Sequence, residues 1–326
     1  MIVAADDFAP GATLSTLARR AQALAEVRAF FADRGVMEVA PPALVNAPVT
    51  DVNLHPVRVR LPGAPADAPE RALHTSPEYA MKRLLAAGSG DIYFLGHAFR
   101  GAERGRLHNP EFTLIEWYRL GGTLERLMTE VAALVTRLCA REFAIERVSY
   151  RDAFAGVTGL DPLAAPDGDL AQAAAALGLD AASARASTRD ELLDLIVGAA
   201  VGPQLGRGRL TFVHGYPASQ AALARLDPAD PRIALRFELY AEGIELANGF
   251  DELADATEQR ERFEAEQRER ARRGLPVGPL DERLLAALAS GLPACAGVAV
   301  GFDRVLMLAT GADCIDQVLP FTLERA

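Results

Sequence analysis

The amino-acid sequence predicts an α+β fold built from strands and flanking helices. Two segments, IYFLGHAFR (92–100) and FTLIEWYRL (112–120), are rich in aromatic and branched residues and are joined by a short charged loop. A further segment, 237–246, alternates as a strand does and leads into Asn248-Gly249, a pair that favours tight turns. Helical stripes stand near both ends, at Leu17, Ala21, Leu24, Val27 and Phe31 and again in VLMLAT after Arg304.

A chain of 326 residues suffices for one large domain or two smaller ones. Half of it is hydrophobic, enough for a sizeable core. No apolar run is long enough to span a bilayer and no basic-then-apolar leader is visible, so a cytoplasmic protein with no membrane partner is expected. The three cysteines are scattered without CxxC spacing, which argues against a disulfide framework or a zinc site. Net charge is −10, whereas a nucleic-acid grip normally shows a basic face. The most basic run, RERARR (268–273), is interleaved with glutamates and reads as a solvated helix face. Lys82 is the only lysine. An Ala/Arg-rich coding bias explains that.

In chain order, a helix over 14–33 stopped by Gly35 precedes the strand VMEVAPPALV, which Pro41 and Pro42 interrupt. Residues 60–70 read as a loop. Thr75-Ser76-Pro77-Glu78 starts a helix: a hydroxyl can cap, proline suits the first turn, and an acid complements the positive end. Helix follows over 124–141, then an Ala-rich helical stretch from 149 to about 208. Residues 211–224 give a strand and a loop. If Asn248-Gly249 closes a two-residue hairpin, Glu245 faces Glu252, and facing acids need a cation between them. Gly297 and Gly301 allow close backbone approach, and Arg304 at a helix start could meet a phosphate.

Along 112–120, period two puts Phe112, Leu114, Glu116 and Tyr118 on one face. A ring, a carboxylate and a phenol on one face suit a binding floor, and Arg100 could reach over it to a phosphate or carboxylate. An ordinary hairpin with a solvated loop would read the same way.

The wording FR…HNPEFT…EWY resembles motif 2 of class II aminoacyl-tRNA synthetases in the form used for lysine. TSPEYAMKRLL (75–85), GIELANGFDEL (243–253) and GVAVGFDRVLML (297–308) resemble further blocks of that family, in the family's order. The resemblance implies a class II catalytic core spanning residues 1–326, with a helical insertion at about 150–208 between motifs 2 and 3. It also implies a homodimer built on the motif 1 helix and strand. Implied for ATP are Arg100, Glu103, His108, Asn109, Phe112, Glu245, Leu246, Gly301 and Arg304, with Arg100 and Arg304 catalytic. Implied for the amino acid are Ser76, Glu78, Glu116, Tyr118, Asn248, Glu252 and Ala299, with Ser219 and Gln220 as further candidates. Mg2+ would sit on Glu245 and Glu252.

Two departures stand out. Ala102 occupies the position where the family's FRxE has a glutamate, with Glu103 one residue later. The helix resembling motif 1 begins almost at once, with no anticodon-binding barrel ahead of it. The whole is similar to the stand-alone lysyl-synthetase paralogues that modify elongation factor P. That likeness implies ATP-dependent activation of lysine, preferentially (R)-β-lysine, and its transfer to a lysine side chain of the factor, without tRNA. A truncated enzyme charging tRNA or a small amine, and a catalytically silent amino-acid-binding paralogue, remain the alternatives.

Overall fold

The computed structural model describes residues 8–63, 65 and 70–326; positions 64 and 66–69 of the predicted 60–70 loop lie outside the described residues. The first apolar stripe forms α1 (Leu14–Ala32), with Thr13 accepting a capping bond from the Thr16 amide. Its buried face ends in Phe31, which stacks on Tyr93 at 4.3 Å and meets Trp117 edge-on at 5.2 Å. The two prolines that follow cannot donate to a ladder. The predicted strand therefore breaks into β1 (Met37–Glu38) and β2 (Leu44–Val45). β2 joins β3 (Arg58–Val59) and β4 (Arg71–Leu73) in a small three-stranded sheet.

After α2 (Glu78–Ala86) come β5 (Ile92–Phe99) and β6 (Glu111–Leu120), the central antiparallel pair, in register from Ile92↔Tyr118 to Phe99↔Glu111. α3 (Leu124–Cys139) covers one face of the sheet with Leu127, Val131, Leu134 and Val135. β7 (Ala144–Ser149) is a strand that the sequence pattern did not flag; its side chains are largely exposed, so the alternation that marks a half-buried strand is missing. The Ala-rich stretch is helical as expected: α4 (Tyr150–Thr158), α5 (Asp167–Ala176), α6 (Ala181–Ala186) and α7 (Arg189–Ile196), then a π-turn over Val197–Val201. These helices close over a core of their own around Phe154, Leu170, Leu193 and Ile196.

β8 (Arg209–Pro217), β9 (Ile233–Ala241) and β10 (Ile244–Asp251) run antiparallel in succession. The β9–β10 turn is Glu242-Gly243, where both residues have positive φ (50° and 77°), as a type I′ turn requires. Asn248-Gly249, predicted as the turn, instead lies inside β10 opposite Glu238 and Phe237. Gly249 is needed there for space: a Cβ would stand 2.4 Å from the Phe237 ring and 3.1 Å from the Gly297 carbonyl oxygen. The residue pair is a turn signature, but here its glycine serves close packing.

α8 (Ala256–Arg272), capped by Asp255, carries the predicted i,i+4 pairs Glu258–Arg262 and Glu269–Arg273. α9 (Glu282–Gly291), β11 (Cys295–Gly301) and α10 (Phe302–Thr310) complete the chain's main elements. The large sheet has the order β1-β5-β6-β11-β10-β9-β8-β7, parallel only at its two outer pairs, β1/β5 and β7/β8. The fold is α+β. Helices α1, α3 and α10 bury one face of this sheet, and the middle strands β6, β11 and β10 turn their other face to a cleft.

Candidate active site

The cleft encloses about 1590 Å³, and Phe112, Leu114, Glu116 and Tyr118 of β6 form its floor, the alternation read from the sequence. Every candidate from the predicted nucleotide and amino-acid sets lines it. Ser219 and Gln220 do not; they are pinned to α7 by bonds to Asp190 (2.6 Å) and Asp194 (2.8 Å).

One end of the cleft is acidic and buried. Glu116, 2 % exposed, accepts from the Ser76 hydroxyl at 2.6 Å and from the Tyr118 hydroxyl at 2.8 Å. Ser76, just ahead of α2, also accepts from the Glu78 amide at 3.0 Å, a local turn that fixes its hydroxyl. Burial pushes the Glu116 carboxyl up to about 8, helped by the charge of Glu78 and opposed by those two hydrogen bonds. Glu252 is also 1 % exposed at its side chain, and its Oε2 lies 2.6 Å from the Lys82 ammonium. Lys82 reaches Glu78 as well, at 2.7 Å. Gly297 leaves room for this cluster, since a Cβ there would come within 2.5 Å of both Tyr118 and Glu252. Ala299 stands opposite Glu116 on β11, and Asn248 accepts from Arg236 at 3.1 Å.

The other end is cationic and more open. Arg100 donates to Glu103 at 3.2 Å and lies 5.1 Å from the centre of the Phe112 ring. Arg304 donates to the Glu245 carbonyl at 2.9 Å and meets His108 Nε2 at 2.6 Å. Burial, with the charge of Arg304 next, lowers the His108 pKa, so the ring is neutral at pH 7 and can accept that bond. Gly301 ends β11 directly before α10, where Asp303 is buried and ion-paired. Asp303 accepts from Arg20 of α1 at 2.6 Å and from the Thr113 amide at 2.7 Å, which sets the start of α10 and with it the root of Arg304. Asn109 is buried in a bracing role, donating to the Glu111 carbonyl at 2.6 Å and accepting from the Leu323 amide at 3.1 Å. Leu246 faces the core with its side chain.

The expected pairing of Glu245 with Glu252 is corrected by the hairpin. With the turn at Glu242-Gly243, Glu245 lies near the start of β10 and Glu252 directly after its end, about 23 Å apart at the ordinary rise per residue. A register slip between Glu245 and Ala247 turns Glu245 to the face shared by Glu238 and Asn248. The acid that shares this face with Glu245 is therefore Glu238, which is held by Arg236 at 2.5 Å and Tyr240 at 2.7 Å. Desolvation and then the Glu238 charge push the Glu245 carboxyl up to about 7. Sequence reading missed Glu238, Lys82 and Arg20. The alternation Arg236-Glu238-Tyr240 ahead of a Glu-Gly turn was the available signal for the first. Nothing in the sequence separates Glu78–Lys82 from a solvated i,i+4 pair. Among the described residues no group of three or more His, Cys, Asp or Glu is placed to hold a metal unaided.

Residues 8–325 match the family described as tRNA synthetases class II (D, K and N). The chain belongs to that family. Among curated proteins, it is 50 % identical over 322 residues to the elongation factor P–(R)-β-lysine ligase of Vibrio cholerae, covering 98 % of this chain and 99 % of that one. The protein of the same name from Pectobacterium carotovorum is 50 % identical over 97 % of this chain and 98 % of its own length. That from Salmonella gallinarum is 48 % identical with the same coverage. No helix among the described residues is long and apolar enough to cross a membrane.

Proposed function

We propose that the protein is an ATP-dependent ligase that activates a lysine-type amino acid, (R)-β-lysine preferentially, as its adenylate and transfers it to a lysine side chain of elongation factor P. The observation that carries this reading is the polarity of the cleft. The buried carboxylates of Glu116 and Glu252 gather with that of the partly buried Glu78 at one end and the guanidiniums of Arg100 and Arg304 at the other. Several acids in one buried pocket suit a substrate rich in amino groups. The names of the relatives supply the acceptor.

In the first step the amino-acid carboxylate attacks the α-phosphorus of ATP, the bond to the bridging oxygen breaks, and pyrophosphate leaves. The protein's task is in-line positioning and neutralisation of charge. Arg100 would meet the carboxylate and α-phosphate, Arg304 the far phosphate, and Phe112 the adenine, with Glu103 and His108 beside the nucleotide. Glu116, Tyr118, Glu252 and Glu78 would hold the ammonium groups. In the second step the acceptor lysine amine attacks the acyl carbon, loses a proton, and AMP leaves.

Mg2+ takes one or two carboxylates and otherwise phosphate oxygens and water, which suits two neighbouring acids that cannot complete a metal site alone. Glu245 and Glu238, which share one face of the sheet, are the residues that fit it; Glu252, seven residues beyond Glu245, is too far along the chain to join them. Bound there, the ion would neutralise phosphate charge. A homodimer built through α1 and β1, a cytoplasmic location and independence from tRNA complete the proposal.

The test is pyrophosphate exchange with α-lysine and (R)-β-lysine, then intact-mass analysis of added elongation factor P and charging of total tRNA. Exchange with a mass gain on the factor and no charged tRNA is expected. No exchange with either amino acid overturns the reading.

A further inference from the structure

Lys82 is the one charged group of the acidic end that the proposed reaction does not use. Its ammonium is 1 % exposed and touches two carboxylates, Glu78 Oε1 at 2.7 Å and Glu252 Oε2 at 2.6 Å. These partners come from different elements: Glu78 lies one helical turn before Lys82 on α2, and Glu252 follows β10. An ordinary surface pair would leave one partner in water, and its loss would cost little. Here both carboxylates line the substrate cleft, with the Lys82 ammonium buried directly behind them.

We propose that Lys82 is a specificity-determining positioning residue, a resident ammonium that sets the charge and keeps two carboxylates ready for an incoming amine. Three carboxylates against one ammonium leave two uncompensated charges when all are ionised. A lysine-type substrate has two ammonium groups, with its carboxylate directed to the cationic end. The number of charges therefore matches only with Lys82 in place. An amino acid with a single ammonium leaves one buried acid uncompensated, an outcome that costs more than a lost hydrogen bond in water. The inference rests on the proposed substrate class and adds the group that selects it.

The groups facing Glu252 are Lys82 and Glu78 from α2, Glu116 and Tyr118 from β6, and Cys295 from β11. Burial raises the Glu252 carboxyl, Lys82 opposes that rise, and Glu78 and Glu116 add to it. The two carboxylates in turn keep Lys82 a cation, its pKa raised above the ordinary lysine value despite burial. Remove the ammonium and only raising influences remain on Glu252, so its carboxyl holds its proton to higher pH and is a poorer anionic partner for a substrate. An opposite charge at this range moves a carboxyl by about one to three units.

The experiment is amino-acid-dependent pyrophosphate exchange across pH 6–9 on the full chain, for wild type, Lys82→Met, Lys82→Gln and Lys82→Arg. In the Met and Gln variants the amino-acid KM should rise at least about tenfold at pH 7, and the pH at which it reaches its plateau should move up by about one unit or more, with the KM for ATP unchanged. Arg should restore the wild-type profile. Gln can still donate to a carboxylate but has no charge, so it keeps the test alive should the Met variant not fold. An unchanged profile in either neutral variant, a parallel rise in both KM values, or an Arg variant that shifts like Met overturns the inference. Wild-type protein that shows no exchange with any lysine-type amino acid would overturn the substrate reading itself.

Discussion

The two ends of the cleft are built on opposite principles. At the cationic end the side chains are half-exposed and anchored to backbone carbonyls: Arg304 to Glu245 and Leu107, Arg100 to Thr75. At the acidic end the carboxylates are shielded from solvent and held by hydroxyls or by one ammonium, as in Glu116 with Ser76 and Tyr118 or Lys82 with two acids. Carbonyl anchors are easily exchanged for a stronger ligand such as a phosphate. A buried charge cluster is rigid and costly to disturb. The first end is suited to a ligand that arrives and leaves as fragments, the second to choosing one molecule by its amines.

Substitutions should break the two ends differently. Arg304→Ala is expected to lower the exchange rate by about a hundred- to a thousandfold, the usual scale for losing a group aimed at developing charge, with little change in the amino-acid KM. Steady-state exchange kinetics check it. Glu116→Gln should raise the amino-acid KM by about ten- to a hundredfold and leave the ATP KM alone, from one charge-assisted bond lost. An equal effect on both constants would show that the ends are not separate.

The protonation state gives a third contrast. Glu116, with its carboxyl at about 8, holds a proton at pH 7 in the empty cleft. An arriving ammonium favours the charged form, so the proton leaves: the sign is release. Calorimetry of amino-acid binding in two buffers of different ionisation enthalpy should find net proton release at pH 7, from Glu116 and from Glu252, whose carboxyl burial likewise pushes up to about 8, falling towards zero above pH 9. ATP binding should not show this release from Glu116. The smallest effect belongs to Ala102→Glu. Glu103 already holds Arg100, so restoring the family's glutamate should change the ATP KM by less than about threefold, the size of a surface change.

The cationic end was the more legible in sequence, because its chemistry follows short local patterns. Arg100 at a strand end and Arg304 at a helix start could be placed without knowing the sheet. Period two gave the floor of β6 correctly as well. The expected facing of Glu245 and Glu252 did not form, for a non-local reason: which residues oppose each other depends on where the hairpin turns and on one register slip. Asn248-Gly249 reads as a turn in isolation, yet packing against Phe237 keeps it extended. Lys82 was counted as the only lysine, but its burial depends on α2 and β10 meeting, which no window of sequence displays. β7 escaped because an exposed strand at the sheet's edge carries little alternation.

The C-terminal segment has a practical consequence. Arg104 pairs with Glu324, the Ile315 amide donates to the Arg106 carbonyl, and the Leu323 amide reaches Asn109. The tail thus acts as a clasp on the 104–109 loop that carries His108. A bulky fusion or surface attachment after Ala326 would pull on that clasp, so immobilised or tagged protein should report nucleotide affinity faithfully only when held elsewhere.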